Sequence, residues 1–210
     1  MSSEGPSDWL ILVLASPSGA GKTSLKNRLL AEFPGLRFSV SHTTRPQRGH
    51  EIAGRDYHFV DRPTFEAMVE RGDFAEHAEV FGNLYGTSLA ELHPFSPGQT
   101  GVILDLDVQG ARQITARLPR ALSVFILPPS FEELERRLRT RADEPASSIR
   151  RRLSEARAEV EHYAMFDHLI VNDELDRAYE RLRAVVIAEG SRRWRQAHRA
   201  EALLRGAKKG

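Results

Sequence analysis

Two glycines, a lysine and four hydroxyls crowd into Ser16–Pro17–Ser18–Gly19–Ala20–Gly21–Lys22–Thr23–Ser24. Glycines remove the side chains that would stop successive backbone N–H groups from closing around phosphate oxygens. A helix opening at Lys22 adds partial positive charge at the same place. Lys22, read as an exposed loop lysine, then reaches the β- and γ-phosphates of a nucleoside triphosphate, and the Thr23 hydroxyl sits on Mg²⁺. Ser16 stands where G-x-x-x-x-G-K-[ST] has its first glycine. Pro17 keeps the residue before it extended, so Ser16 needs no positive φ.

A second anion site suggests itself between Ser41 and Val60, a stretch rich in donors and poor in core-forming residues. Arg45 and Arg48 can present forked guanidiniums to one phosphate, with the Ser41 and Tyr57 hydroxyls as further donors. A solvated basic loop has the same composition. Glu76, Tyr85 and Thr87 lie in an alternating stretch, Phe74 to Ser88, which reads as a small β-ribbon. Gly101 to Val108 is an apolar strand ending in Asp105 and Asp107, where carboxylates face the crevice of an α/β nucleotide enzyme. Glu135 to Leu153 is dense in arginine, and its spacing fits a solvated helix face or a mobile lid over a triphosphate equally well. His42, His50, His58 and His77 lie near acids, but their spacing matches no zinc motif and they are read as structural or surface residues.

These groups need a scaffold. Leu10 to Ala15 is an apolar run too short to span a membrane and is expected as a buried strand. Leu25, Leu29, Leu30 and Phe33 recur at helical spacing until Pro34–Gly35, and Leu36 to Ser41 alternates like a strand. Pro63 to Arg71 reads as a helix stopped by Gly72, with Phe65, Met68 and Val69 inward. Gln109 to Leu118 and Phe131 to Thr140 read as helices, Ala121 to Leu127 and Leu169 to Val171 as strands. One terminal helix is expected from Glu174 towards Leu204, its basic end from Arg192 to Lys209 exposed. The 210 residues suit one domain, and 30 basic against 29 acidic side chains leave a net charge of +1, so neither nucleic acid nor an acidic membrane is expected as a partner. With no cysteine, disulfides, thiolate metal sites and a cysteine nucleophile are excluded. No targeting signal or spanning run is read, and a cytoplasmic location is expected.

Taken together, the motifs resemble those of the guanylate kinase family, nucleoside-monophosphate kinases that phosphorylate GMP. The likeness covers Leu10 to Ala188. It rests on Pro17 to Lys22, Ser39 to Arg45, Gly54 to Phe59, Glu76–His77–Ala78, Gly82 to Thr87, Ile103 to Gly110 and Ile170 to Asp173. The resemblance implies that Ser41, Arg45, Arg48, Tyr57 and Tyr85 hold the GMP phosphate, and that guanine meets Glu76, Thr87 and Asp107. It makes Arg137, Arg141 and Arg152 lid arginines, which with Lys22 and Arg45 are the catalytic set. ATP is assigned to the loop from Ser16 to Ser24 and, near its adenine, to Asn172. Asp105 is set near the acceptor, the phosphates and, through water, the Mg²⁺ held by Thr23. The family reads R-x-x-R-x-G-E where this chain has Arg48–Gly49–His50–Glu51; the glycine is shifted by one and Glu51 is grouped with the acceptor residues. Ala142 replaces a common glycine of the lid.

The expected fold is an α/β three-layer P-loop NTPase type with a central parallel sheet. It carries a small β-containing GMP-binding insertion at about residues 40–90 and a helical lid at about 137–152. Residues 1–8 are expected as a disordered tail, 9–190 as the kinase domain and 191–210 as a basic helical extension. The expected reaction is ATP + GMP to ADP + GDP with Mg²⁺, with dGMP a possible second acceptor and an oligomer allowed. The rival reading is a non-catalytic guanylate-kinase-like binding module, whose ATP loop would be degraded; Gly21, Lys22 and Thr23 are intact here.

Overall fold

The computed structural model describes residues 9–80, 82–141 and 146–207. The expected tail from Met1 to Asp8, Ala142 and the Arg141 side chain lie outside the described residues. At the centre is β1 (Leu10–Ala15), with β7 (Gly101–Asp105) on one side and β8 (Leu122–Leu127) on the other. β2 (Leu36–Phe38) and β9 (His168–Val171) complete a parallel sheet in the order β2-β7-β1-β8-β9.

Strand geometry turns successive side chains to opposite faces. Leu10, Leu12 and Leu14 therefore join Ile103, Val124 and Ile126 under α1 (Lys22–Glu32) and α6 (Leu175–Gly190), which contribute Leu25, Leu29, Tyr179 and Leu182. Val13 and Ala15 face the other way. With Val102, Leu104 and Phe125 they pack under α3 (Val108–Arg117), against Val108, Ala111 and Ile114. Helices on both faces of a parallel sheet make the three layers.

A second sheet stands at the carboxyl ends of these strands. Its order is β4-β3-β6-β5, from β3 (His42–Thr43), β4 (His58–Phe59), β5 (Phe74–Val80) and β6 (Asn83–Ser88). α2 (Arg62–Glu70) backs it through Phe65, whose ring stacks on Phe74 with centroids 4.5 Å apart. Of the three residues expected inward, Phe65 is buried, whereas Met68 and Val69 are half-buried. The stretch that contains the expected lid is a pair of helices, α4 (Phe131–Arg141) and α5 (Ala146–Val160), with its own core of Leu134, Leu138, Ile149 and Ala156.

Two expectations are corrected. The strand from Leu36 to Ser41 ends at Phe38, because the Val40 amide donates to the Glu91 carboxylate at 3.3 Å instead of continuing the ladder. That carboxylate also takes Arg37, at 2.6 Å, and so clamps both ends of the insertion. The terminal helix is not continuous either: α6 ends at Gly190 and α7 (Arg193–Ala207) starts anew. Glu189 is buried there and pairs with Arg192 and Arg195. Arg195, 2% exposed, donates to the Trp9 carbonyl at 2.9 Å. Arg192 and Arg193 are exposed as expected, but Arg195 of the basic extension is buried beside Trp9, just ahead of the first strand.

Candidate active site

β1 runs into the glycine loop, and the loop runs into α1. Gly21 caps α1 with φ +95°, and a Cβ there would lie 2.2 Å from Asn172 Nδ2. Only glycine fits. Asn172 itself is buried, and its Nδ2 donates to the Ala20 carbonyl at 2.7 Å, so its side chain braces the loop. Lys22 is not the exposed lysine expected: its side chain is 17% exposed, its ammonium pairs with Asp105, and it donates to the Leu106 carbonyl at 3.3 Å. Lys26 shares Asp105 at 3.5 Å.

A crevice of about 540 Å³ opens between the loop and the second sheet. It is lined by Ser16, Pro17, Ser18, Gly19, Gly21, Lys22 and Thr23 on one side and by Ser41, Arg48, Tyr57, Glu76 and Tyr85 on the other. Asp105, Asp107 and Glu159 close its floor and end. Ala20 and Ser24 do not line it; Ser24 borders a separate hollow of about 330 Å³ with Arg136, Arg137, Thr140, Asn172 and Leu175.

On the side of the second sheet Glu51 organises the arginines. One oxygen takes Arg45 Nη2 at 2.7 Å and the other takes the Arg48 backbone amide at 2.8 Å. These bonds hold the Glu51 carboxyl below the usual carboxylate range, with the Arg45 hydrogen bond the largest cause. Arg45 is turned to Glu51 and the Pro46 carbonyl and lies behind the lining, over the ring of Tyr57 at 5.4 Å. Burial raises the Tyr57 hydroxyl above its ordinary value, so it stays a donor. The rings of His42 and His58, centroids 4.7 Å apart, join β3 to β4 just beside Ser41 and Tyr57.

At the far end two carboxylates meet under the first turn of α3. Asp107 is that helix's N-cap, its Oδ1 accepting from the Gly110 amide at 2.7 Å. Any Cβ on Gly110 would fall 2.7 Å from Glu76 Oε2, so the missing side chain admits Glu76. Glu76 is 5% exposed, and burial pushes its carboxyl up to about 7. Thr87, fully buried, stands between Glu76 and Ser41, its hydroxyl 3.4 Å from that of Ser41. With both carboxyls ionised, such a site accepts hydrogen bonds from a donor edge and offers none to an acceptor edge.

The arginine-rich stretch divides into surface residues and residues turned inward. Glu135 pairs with Arg139 at 2.6 Å on the surface. Arg137 and Arg152 instead reach the site: Arg137 donates to the Asn172 carbonyl at 3.0 Å, and Arg152 to Ser18 Oγ at 2.7 Å. Glu133 steadies Arg137 at 2.8 Å and is itself held down to about 2 by Arg136 and Arg137. Leu134 and Leu138 sit against Gly19, so α4 packs on the glycine loop. Glu159 was missed in the sequence. The usable signal was its seven-residue offset from Arg152, which puts both on one face of a helix.

Residues 10–189 match the family model described as guanylate kinase. The chain is 52% identical over 186 residues to the guanylate kinase of Alkalilimnicola ehrlichii, covering 89% of this chain and 92% of the relative. It is 49% identical to that of Myxococcus xanthus, covering 89% and 90%. Among solved structures it resembles the crystal structure of guanylate kinase from Anaplasma phagocytophilum, with a TM-score of 0.73, 36% identity and 90% of each chain covered. The three-layer fold, the braced glycine loop and the likeness across nearly all of the structured chain lead to one conclusion: this chain belongs to the guanylate kinase family.

Proposed function

We propose that the crevice transfers the γ-phosphoryl group of ATP to GMP, giving ADP and GDP, by holding two anions in line and neutralising charge as it spreads over the transferred group. Phosphoryl transfer needs little covalent chemistry from the protein, so positioning and electrostatics suffice. The enzyme is an ATP:GMP phosphotransferase of purine nucleotide metabolism. Backbone amides from Ser18 to Thr23 take the ATP phosphates, and the hollow beside Asn172 takes its base. Lys22 leaves Asp105 for the β- and γ-phosphates. Ser41, Tyr57, Tyr85, Arg48 and Arg45, the last steered by Glu51, take the GMP phosphate. Arg137, Arg141 and Arg152 gather on the γ-phosphoryl oxygens.

Thr23 and Asp105 supply hard oxygen donors of the kind Mg²⁺ takes. No group of three or more ligating side chains occurs among the described residues, which suits an ion held largely by phosphates and water. When bound, Mg²⁺ neutralises charge on the phosphates. No helix among the described residues is long and apolar enough to cross a membrane, and a cytoplasmic site of action is the natural one for these substrates.

One observation carries the choice of acceptor: two carboxylates, Glu76 and Asp107, end the crevice that begins at Lys22. Guanine offers donors at N1 and the exocyclic amine, whereas adenine presents an unprotonated N1 to the same carboxylates. A buried polar mismatch of this kind discriminates by about 10⁴. A coupled assay of ADP formation with GMP, AMP and UMP is expected to show GMP preferred over AMP by about that factor. Glu76→Gln is expected to lower kcat/KM for GMP by roughly one to three orders of magnitude. Comparable use of AMP would overturn the assignment.

A further inference from the structure

α5 turns two polar residues into the crevice from one face, and only one of them is satisfied there. Arg152 donates to Ser18 Oγ. Glu159, two turns further on and half-buried, lines the crevice with Lys22, Glu76, Asp105 and Asp107. Its carboxylate feels Lys22 on one side and Asp107 on the other, yet has neither a hydrogen bond nor an ion pair among the described residues. Lys22, the nearest cation acting on it, is committed to Asp105. An unpartnered carboxylate in such a place is an acceptor short of donors, and burial accordingly raises its proton affinity.

The chemistry of the acceptor nucleotide says which donors those are. This step rests on the reading of the crevice given above, with guanine on Glu76 and Asp107 and the phosphate on Ser41, Tyr57 and Arg48. A phosphate would be repelled by Glu159, and the donor edge of the base is already taken. The donors that remain on a nucleoside monophosphate are the ribose 2′- and 3′-hydroxyls, and a carboxylate is the usual partner of a ribose hydroxyl in nucleotide sites. Glu159 lines the same crevice as the base-end carboxylates and the phosphate residues and feels the charges of both Asp107 and Lys22, so it flanks the stretch that the sugar occupies between base and phosphate. We propose that Glu159 accepts a hydrogen bond from the ribose 2′-hydroxyl of the acceptor and so makes the enzyme prefer GMP to dGMP.

The test is a cycle between protein and ligand: kcat/KM of wild type and Glu159→Ala, each with GMP and with dGMP. A charge-assisted hydrogen bond to a hydroxyl is worth about tenfold or more. Glu159→Ala is therefore expected to cost about tenfold with GMP and less than about twofold with dGMP, so that the two acceptors become nearly equal. Alanine is the best helix former, and dGMP turnover serves as the control for an intact fold. Glu159→Gln, which keeps an acceptor oxygen without the charge, is expected to retain part of the preference. Equal losses with both acceptors, or no loss with either, would overturn the proposal while leaving GMP as the substrate. A wild-type enzyme that phosphorylated neither guanine nucleotide would instead remove the reading on which it stands.

Discussion

Between β1 and α1 the groups offered to an anion are backbone amides, whereas between β3 and β4 they are guanidinium and hydroxyl side chains. The first set is built into the main core: Leu12, Val13, Leu14 and Ala15 lead into it fully buried, Leu134 and Leu138 press on Gly19, and Asn172 holds Ala20 from behind. The second set hangs on two-residue strands and is oriented by one carboxylate, Glu51, among neighbours that are half-buried or exposed. Preorganisation comes from packing in one case and from charge in the other. The two should fail differently: a loop held by packing fails through its backbone, and a loop held by charge fails through ions and protons.

The largest expected effect lies on the packed side. Gly21→Ala forces a side chain into a left-handed conformation and against Asn172, and is expected to cost about 2–3 kcal/mol of stability and most of the ATP affinity. Thermal unfolding and an ATP titration would measure both. A variant melting and binding ATP like wild type would mean the loop is not rigid.

Glu51→Gln should act on the other side alone. With the charge gone, Arg45 and the Arg48 amide lose their anchor, and GMP binding is expected to weaken about tenfold with ATP binding and melting temperature nearly unchanged. Separate titrations of the two nucleotides decide it, and equal weakening of both would erase the distinction between the sites.

The smallest effect is a proton. Glu76, pushed up to about 7 by burial, must be ionised to accept from guanine. GMP affinity is thus expected to fall as pH drops through 7, by about tenfold near pH 6, with release of a proton on binding near neutrality. Stability should run the opposite way through this group. Its folded pKa lies above the ordinary glutamate value of 4.5, so folding is favoured at low pH and loses that support as pH rises from about 4.5 towards 7. Calorimetry of GMP binding in two buffers of different ionisation heat would detect the proton. A flat affinity profile would show Glu76 ionised throughout.

Local order was legible and distant pairing was not. The alternation of Leu10, Leu12 and Leu14, the Gly21–Lys22–Thr23 turn and the ribbon around Gly82 each carry their signal within a few residues. Asn172 braces Ala20 from 152 positions away, so its spacing says nothing of that bond. The same holds for Glu91, which ends β2 by capturing Val40, and for Arg195, whose bond to Trp9 spans 186 positions. Glu76 and Asp107 were identifiable as polar residues, but the raised proton affinity of Glu76 follows from its burial and, after that, from Asp107 beside it, which no local spacing shows.

The place of β1 in the sheet has a consequence for how the enzyme is made. It is the earliest strand of the sheet to leave the ribosome, and both of its neighbours lie far downstream, Leu10 pairing with Gly101 and Leu12 with Leu122. At roughly 5–20 residues per second, the ribosome needs about 5–20 s to deliver the first of them. For that interval an apolar segment ending in the phosphate loop has no sheet to join, and its catalytic loop takes shape only after more than half the chain exists. Translation, rather than the intrinsic speed of collapse, therefore sets the earliest moment at which a nucleotide can be bound.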